Sequence, residues 1–224
     1  MLGNQKEQNS SQQKCIVLSI VALTCFLAIA VIYSSGYFDS INQITNLYAA
    51  SIQTEMLTDA AILISRCFDT IILLGLTLLL GGLLLYKKDT QQGMLLIGAM
   101  GINVFLLLIC KTVVISPRPL NALVVENDYS FPSGHVTSTI IFVGMLSYFA
   151  WQKRNTITKL CLVFFGSALV GIVAFDRVYL NVHWLSDVIA APFIAVFIIA
   201  TTILTIQYLP RRYSRKLKHI ICFK

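Results

Sequence analysis

Residues 70–86 read Thr70-Ile-Ile-Leu-Leu-Gly-Leu-Thr-Leu-Leu-Leu-Gly-Gly-Leu-Leu-Leu-Tyr86, seventeen residues without a charge, preceded by Asp69 and ended by Lys87-Lys88. A helix built from this run has no polar face to turn to water, so it belongs inside a large core or a bilayer. Five further runs of similar character follow the chain: Cys15–Tyr33, Gly93–Ile115, Val136–Trp151, Leu160–Phe175 and Val188–Leu209. Only Lys111 interrupts the run Gly93–Ile115, near its end. A hydrocarbon core needs about 20 apolar residues per helix. Of the 224 residues 57% are hydrophobic and 12% charged, against about 25% charged in a soluble domain. The mean hydropathy of +0.77 agrees. The expected fold class is therefore all-α, an integral membrane bundle of six transmembrane helices.

The ends of the runs support this. Tyr33, Tyr86, Trp151, Trp184 and Tyr208 all lie near them, where interfacial aromatics belong. Pro192 is expected in the first turns of the sixth helix, where proline costs least. The first run is too long for a signal-peptide core and is followed by Tyr33-Ser-Ser-Gly, a poor cleavage site, so it reads as an uncleaved helix. The apolar character of the second extends back to Ala60 across Arg66 and Asp69, which as i,i+3 neighbours on a helix are expected to pair. Residues 1–224 read as one domain, with a short cytoplasmic tail over 1–14 and a basic cytoplasmic tail over 210–224. The six cysteines show no CxxC or Cys/His spacing and read as small apolar packing residues.

Charge sets the orientation. With an even number of spans the termini share a side, and placing both in the cytoplasm puts 13 of the 17 Lys and Arg residues inside. The net charge of +7 is thus assigned to membrane loops rather than to nucleic acid, and the tail from Arg211 to Lys224, His219 included, to anionic lipid. Arg66, Lys111, Arg118 and Arg177 fall at the opposite face. Orientation gives no reason for cations there, and ionisable groups at membrane depth are usually paired or functional.

Three of those cations occur with two of the three histidines in short polar segments at one face: Lys111 to Pro119, Phe131 to His135, and Asp176 to Asp187. Lys111, Arg118 and Arg177 supply three fixed positive charges for oxygens. Ser133 precedes an apolar helix as its expected N-cap, so free backbone N–H groups there favour an anion, and Gly134 lets a ligand approach closely. His183 and Asp187 are i,i+4, so the carboxylate is placed to hold one imidazole nitrogen protonated and leave the other free to attack. His135 remains as the proton donor for a leaving oxygen. There are no clustered carboxylates or HExxH pair to bind a metal.

The spacing K-x6-RP, then PSGH, then R-x5-H-x3-D resembles the type 2 phosphatidic acid phosphatase superfamily, over the 77 residues from Lys111 to Asp187. That family includes membrane lipid phosphatases, bacterial undecaprenyl-diphosphate and phosphatidylglycerophosphate phosphatases, glucose-6-phosphatase and soluble vanadium haloperoxidases. The resemblance implies a metal-independent, cofactor-free reaction. In it His183, oriented by Asp187, becomes a phosphohistidine and His135 serves as acid and then base. Lys111, Arg118, Ser133, Gly134 and Arg177 hold the phosphate oxygens. It further implies a lipid phosphate substrate, undecaprenyl diphosphate, phosphatidic acid or phosphatidylglycerophosphate, cleaved at the outer face of a bacterial inner membrane. A lipid phosphotransferase using the same histidine, or a non-catalytic phospholipid-binding or transport protein, are the alternatives. The oligomeric state stays open. The chain departs from the family pattern at Asp176, commonly Ser, and at Asn181 and Leu185, where many bacterial members have Gly and Pro.

Overall fold

The computed structural model describes residues 2–151 and 155–208, with side chains from 10 to 206. The expected tail over 210–224, with His219 and Cys222, lies outside the described residues, as do Lys153 and Arg154. Eight helices and no strands occur among the described residues: α1 (Leu2–Ser34), α2 (Asp39–Ser51), α3 (Glu55–Cys67), α4 (Thr70–Tyr86), α5 (Thr90–Val114), α6 (Gly134–Trp151), α7 (Thr156–Tyr179) and α8 (Leu185–Tyr208). Each of the six apolar runs falls on one of these helices, save Ile115, which follows α5, and Leu209, which lies outside the described residues. Residues 2–14, read as a tail, continue the helix of the first run.

Four helices, α1 from Ser10, α5, α7 and α8, are long and apolar enough to cross a membrane, and the bent pair of α3 and α4 meets the same test only when taken together, as one broken span or as a re-entrant loop. α6 is shorter, and its opening turns carry His135, Thr137, Ser138 and Thr139. Large apolar side chains on the outer faces are open, Ile71 at 76% and Phe165 at 68% exposure, which in a soluble protein would be an aggregation surface and here is a lipid-facing one. The interior is lined by Leu73, Leu96, Met100, Ile141, Met145 and Ile198, all buried. α1 lies along α8, α4 along α5, and α6 between α7 and α8. The described cysteines are free.

One helix lies outside the reading of the sequence, and two local features differ from it. Asn42 and Ala49 are the buried residues of α2, whereas Ile44, Leu47 and Tyr48 are open. Its polar side turns inward, where Asn42 donates to Ser186 Oγ at 2.9 Å and accepts from the Ser186 N–H at 3.1 Å. Of the two differences, the first is that the chain bends by 41° between α3 and α4, which removes the helical i,i+3 spacing of Arg66 and Asp69. No ion pair joins them among the described residues. Second, Pro192 is the eighth residue of α8 rather than one of its first turns. Its missing N–H takes a partner from the Val188 carbonyl, a loss membrane helices tolerate when neighbouring groups take it up.

Candidate active site

The polar segments meet at one end of the bundle, where α3, α5 and α7 finish and α4, α6 and α8 begin. α5 stops at Ile115, which has left-handed dihedrals of φ 49° and ψ 44°, an uncommon conformation for a β-branched residue. This reversal carries Ser116-Pro117-Arg118 back over the helix ends. The returning segment is tied down by Trp184 Nε1, which donates to the Pro117 carbonyl at 2.7 Å, and by the Ser130 N–H to the Ser116 carbonyl at 2.9 Å. Trp184, expected as an interfacial anchor, therefore also braces the site.

His183 sits in the turn between α7 and α8, and Asp187 in the first turn of α8. Asp187 Oδ2 lies 3.2 Å from His183 Nδ1 and accepts from the Trp184 N–H at 2.9 Å. That backbone bond fixes the carboxylate, which in turn sets the tautomer: Nδ1 carries the proton and Nε2 is free. Arg118 Nη1 approaches Nε2 at 3.2 Å and donates to the Val182 carbonyl at 2.6 Å. Both members of the pair are buried. Burial, and then the positive charges of Arg118, Lys111 and Arg177, hold the His183 imidazole well below its ordinary value of 6.5. The ring is therefore neutral at neutral pH, as a nucleophile must be.

Asn181 stands where the family commonly has Gly, and the structure gives the reason. Its φ is +54°, the left-handed region that Gly occupies freely and Asn tolerates better than most residues. Leu185 occupies the first position of α8, where proline is favoured but not required.

Arg177 is fully buried at the end of α7. Its Nε and Nη2 contact Asp176 Oδ2 at 3.0 and 2.9 Å, Nη2 also donates to Ser65 Oγ, and Nη1 lies 3.3 Å from both Glu126 Oε1 and His135 Nε2. Asp176, the departure from Ser, thus neutralises and orients the guanidinium. His135 opens α6, with its Nε2 3.5 Å from Asp69 Oδ2. Ser133 is buried, and its backbone carbonyl accepts from the Thr137 N–H at 3.1 Å, the first bond of the helix. Its Oγ has no partner among the described residues, so the hydroxyl does not cap and remains available. The open side of Gly134 faces α4: a Cβ there would come 3.1 Å from Thr70 Oγ1. The missing side chain therefore lets α4 and α6 pack closely at this point.

Two acids of the α5–α6 loop complete the site. Asp128 Oδ2 lies 2.7 Å from Lys111 Nζ, and its other oxygen pairs with Arg118. Glu126 reaches Arg177 and lies 3.9 Å from Arg118. Half-burial works to raise the Asp128 carboxyl, but the hydrogen bonds and charges of Lys111 and Arg118 outweigh it and hold it below the ordinary aspartate value. All eight residues singled out in the sequence are thus in one region. Ser65, Asp69, Glu126 and Asp128 are additions that reading did not assign. In the sequence the one signal for the acids is that, with both termini placed inside, eight of the ten Asp and Glu residues fall on the side of the four exceptional cations.

This geometry agrees with the match of residues 92–211 to the family model described as PAP2 superfamily. The chain belongs to the PAP2 superfamily. The PAP2 chain is 25% identical over 167 residues to phosphatidylglycerophosphatase B of Bacillus subtilis (strain 168), an alignment spanning 73% of this chain and 82% of that protein. Its fold is similar to the crystal structure of the first transmembrane PAP2 type phosphatidylglycerolphosphate phosphatase from Bacillus subtilis, with a TM-score of 0.76 and 21% identity. That likeness covers 86% of this chain and 98% of the other. This PAP2 protein is accordingly an all-helical integral membrane protein of the phosphatase type.

Proposed function

We propose that this chain hydrolyses a lipid phosphate monoester or diphosphate through a phosphohistidine on His183. The observation that carries the reading is the buried His183–Asp187 pair, whose free Nε2 faces the cluster formed by Arg118, Lys111 and Arg177. In the first step His183 Nε2 attacks phosphorus, and the bond to the lipid oxygen breaks as His135 delivers a proton to that oxygen. In the second, His135 takes a proton from water, the water oxygen bonds to phosphorus, and the P–N bond breaks to free phosphate and a neutral His183. Lys111, Arg118, Arg177, the Ser133 hydroxyl and the N-terminal amides of α6 neutralise the charge that builds on the non-bridging oxygens. Three cations at the phosphate position also disfavour a divalent ion there, so the reading needs no metal and no cofactor.

Phosphatidylglycerophosphate is the substrate supported first, by the likeness to phosphatidylglycerophosphatase B of Bacillus subtilis. Phosphatidic acid and undecaprenyl diphosphate carry the same terminal phosphate chemistry. The lysine and arginine bias supports six crossings with both termini cytoplasmic, one domain over 1–224, and a site at the outer face of a bacterial inner membrane. The test is purified protein presented with these three lipids in mixed micelles. Free phosphate released without an added acceptor, together with an acid-labile, base-stable phosphoprotein in rapidly quenched samples, is the expected result. Release that requires a lipid acceptor would make it a phosphotransferase. The absence of any phosphoprotein and of any release overturns the reading.

A further inference from the structure

We infer that Asp69, outside the three sequence motifs, is a positioning residue that keeps the transferable proton on His135. The inference rests on the reading of His135 as proton donor. His135 Nε2 has two charged neighbours of opposite sign, Arg177 Nη1 at 3.3 Å from α7 and Asp69 Oδ2 at 3.5 Å from the α3–α4 turn. The guanidinium alone points N–H groups at that nitrogen and favours a bare lone pair, which is the wrong state for an acid. A carboxylate at nearly the same distance works against it, because Coulomb energies scale inversely with separation. Of these two groups only Asp69 is able to accept a hydrogen bond from a protonated Nε2.

The position of Asp69 is built, not incidental. Its Oδ1 accepts from the Ile71 N–H at 2.7 Å and so caps α4, which fixes the carboxylate plane and leaves Oδ2 towards His135. The start of α4 is in turn pressed against the start of α6. Thr70 Oγ1 accepts from Ser138 Oγ at 3.4 Å and fills the space beside Gly134. The 41° bend between α3 and α4 frees Asp69 from Arg66 and aims the cap at the site. Asp187 bonded to His183 and Asp69 beside His135 thus form two carboxylate–imidazole pairs, one for each proposed chemical role.

The test is a leaving-group series, from aryl phosphates, which leave unaided, to alkyl and lipid phosphates, which need a proton. Asp69→Asn keeps the capping acceptor and the side-chain size and removes the charge. The expected result is a kcat loss of tenfold or more on alkyl and lipid phosphates, less than threefold on p-nitrophenyl phosphate, and an unchanged KM. His135→Ala should show the same slope, more steeply. An equal loss across the series for Asp69→Asn, or none, with a sloped loss for His135→Ala, overturns the inference alone. A flat loss for His135→Ala overturns the acid reading and this one with it. Should Asp69→Asn fail to fold, Asp69→Ser retains a capping oxygen and is read on the same scale.

Discussion

Asp128 occupies Lys111: its Oδ2 lies 2.7 Å from the ammonium, and its second oxygen holds Arg118. In the proposed reaction a substrate phosphate is held by both of these cations and so has to displace the carboxylate. Asp128→Asn should therefore lower KM for lipid phosphate by about fivefold, the equivalent of about 1 kcal/mol for a half-exposed pair, with kcat within twofold. Initial-rate kinetics at fixed ionic strength check this, and a raised KM would show that Asp128 helps to hold the cations in place instead.

Asp187→Asn keeps the size of the side chain but no longer imposes the tautomer. Nδ1 then competes with Nε2 for the proton, and the nucleophile is lost for much of the time. A fall in kcat on the order of a hundred- to ten-thousandfold with little change in KM is expected. Single-turnover measurements of phosphohistidine formation separate this from slow hydrolysis of the intermediate.

His183 should stay neutral well below pH 6.5, because its buried ring lies among cations that oppose a further positive charge. The unfolded chain takes up this proton near 6.5 and the folded chain does not, so stability contributed by this group falls as pH drops through 6.5. Nitrogen chemical shifts of labelled histidines, assigned by the loss of signal in His183→Gln, are the measurement. A His183 midpoint at 6.5 or above would contradict the proposed electrostatics.

Asp176→Ala removes the partner of a fully buried guanidinium. Glu126 and Ser65 remain on Arg177, so the cost should fall near the low end of that for breaking a buried pair, about 3 kcal/mol. A melting temperature several degrees lower in detergent, with at least tenfold lower kcat, is the expected outcome.

Gly93→Ala tests the bundle away from the chemistry. A Cβ at this position would come 2.9 Å from the Gly81 backbone carbonyl and 2.8 Å from the Leu85 side chain, so α4 and α5 have to separate. A destabilisation of about 1–3 kcal/mol is expected, with kcat near that of the unaltered protein at temperatures where the variant is folded. Thermal melts and rates at low temperature measure the two separately.

The residues that sequence made legible share one property: their neighbours along the chain carry the signal. Long apolar runs announce α1, α4, α5, α6, α7 and α8. His183 and Asp187 are four residues apart, so their contact follows from helical spacing. α2 lacked such a run, since its apolar positions face outward and its useful side chain is Asn42, paired with a serine 144 residues away. Asp69 was legible as a helix-end charge, but its proper partner depends on a bend that the residues between it and Arg66 do not reveal. Glu126 and Asp128 lie in a loop with no periodicity, and only the folded chain brings them onto the cations.

The proposed chemical groups and the loop acids are anchored differently. Lys111, Arg177 and His135 issue from helices and His183 precedes one, whereas Glu126 and Asp128 ride on a connection braced through Pro117 and Trp184. Arg118 shares that connection but touches His183, so only substitution at Glu126 or Asp128 changes the hold on the cations while the two histidines keep their places at the helix ends. In the proposed reaction, selectivity is therefore open to change through these two acids while the histidines that break the bond stay where they are.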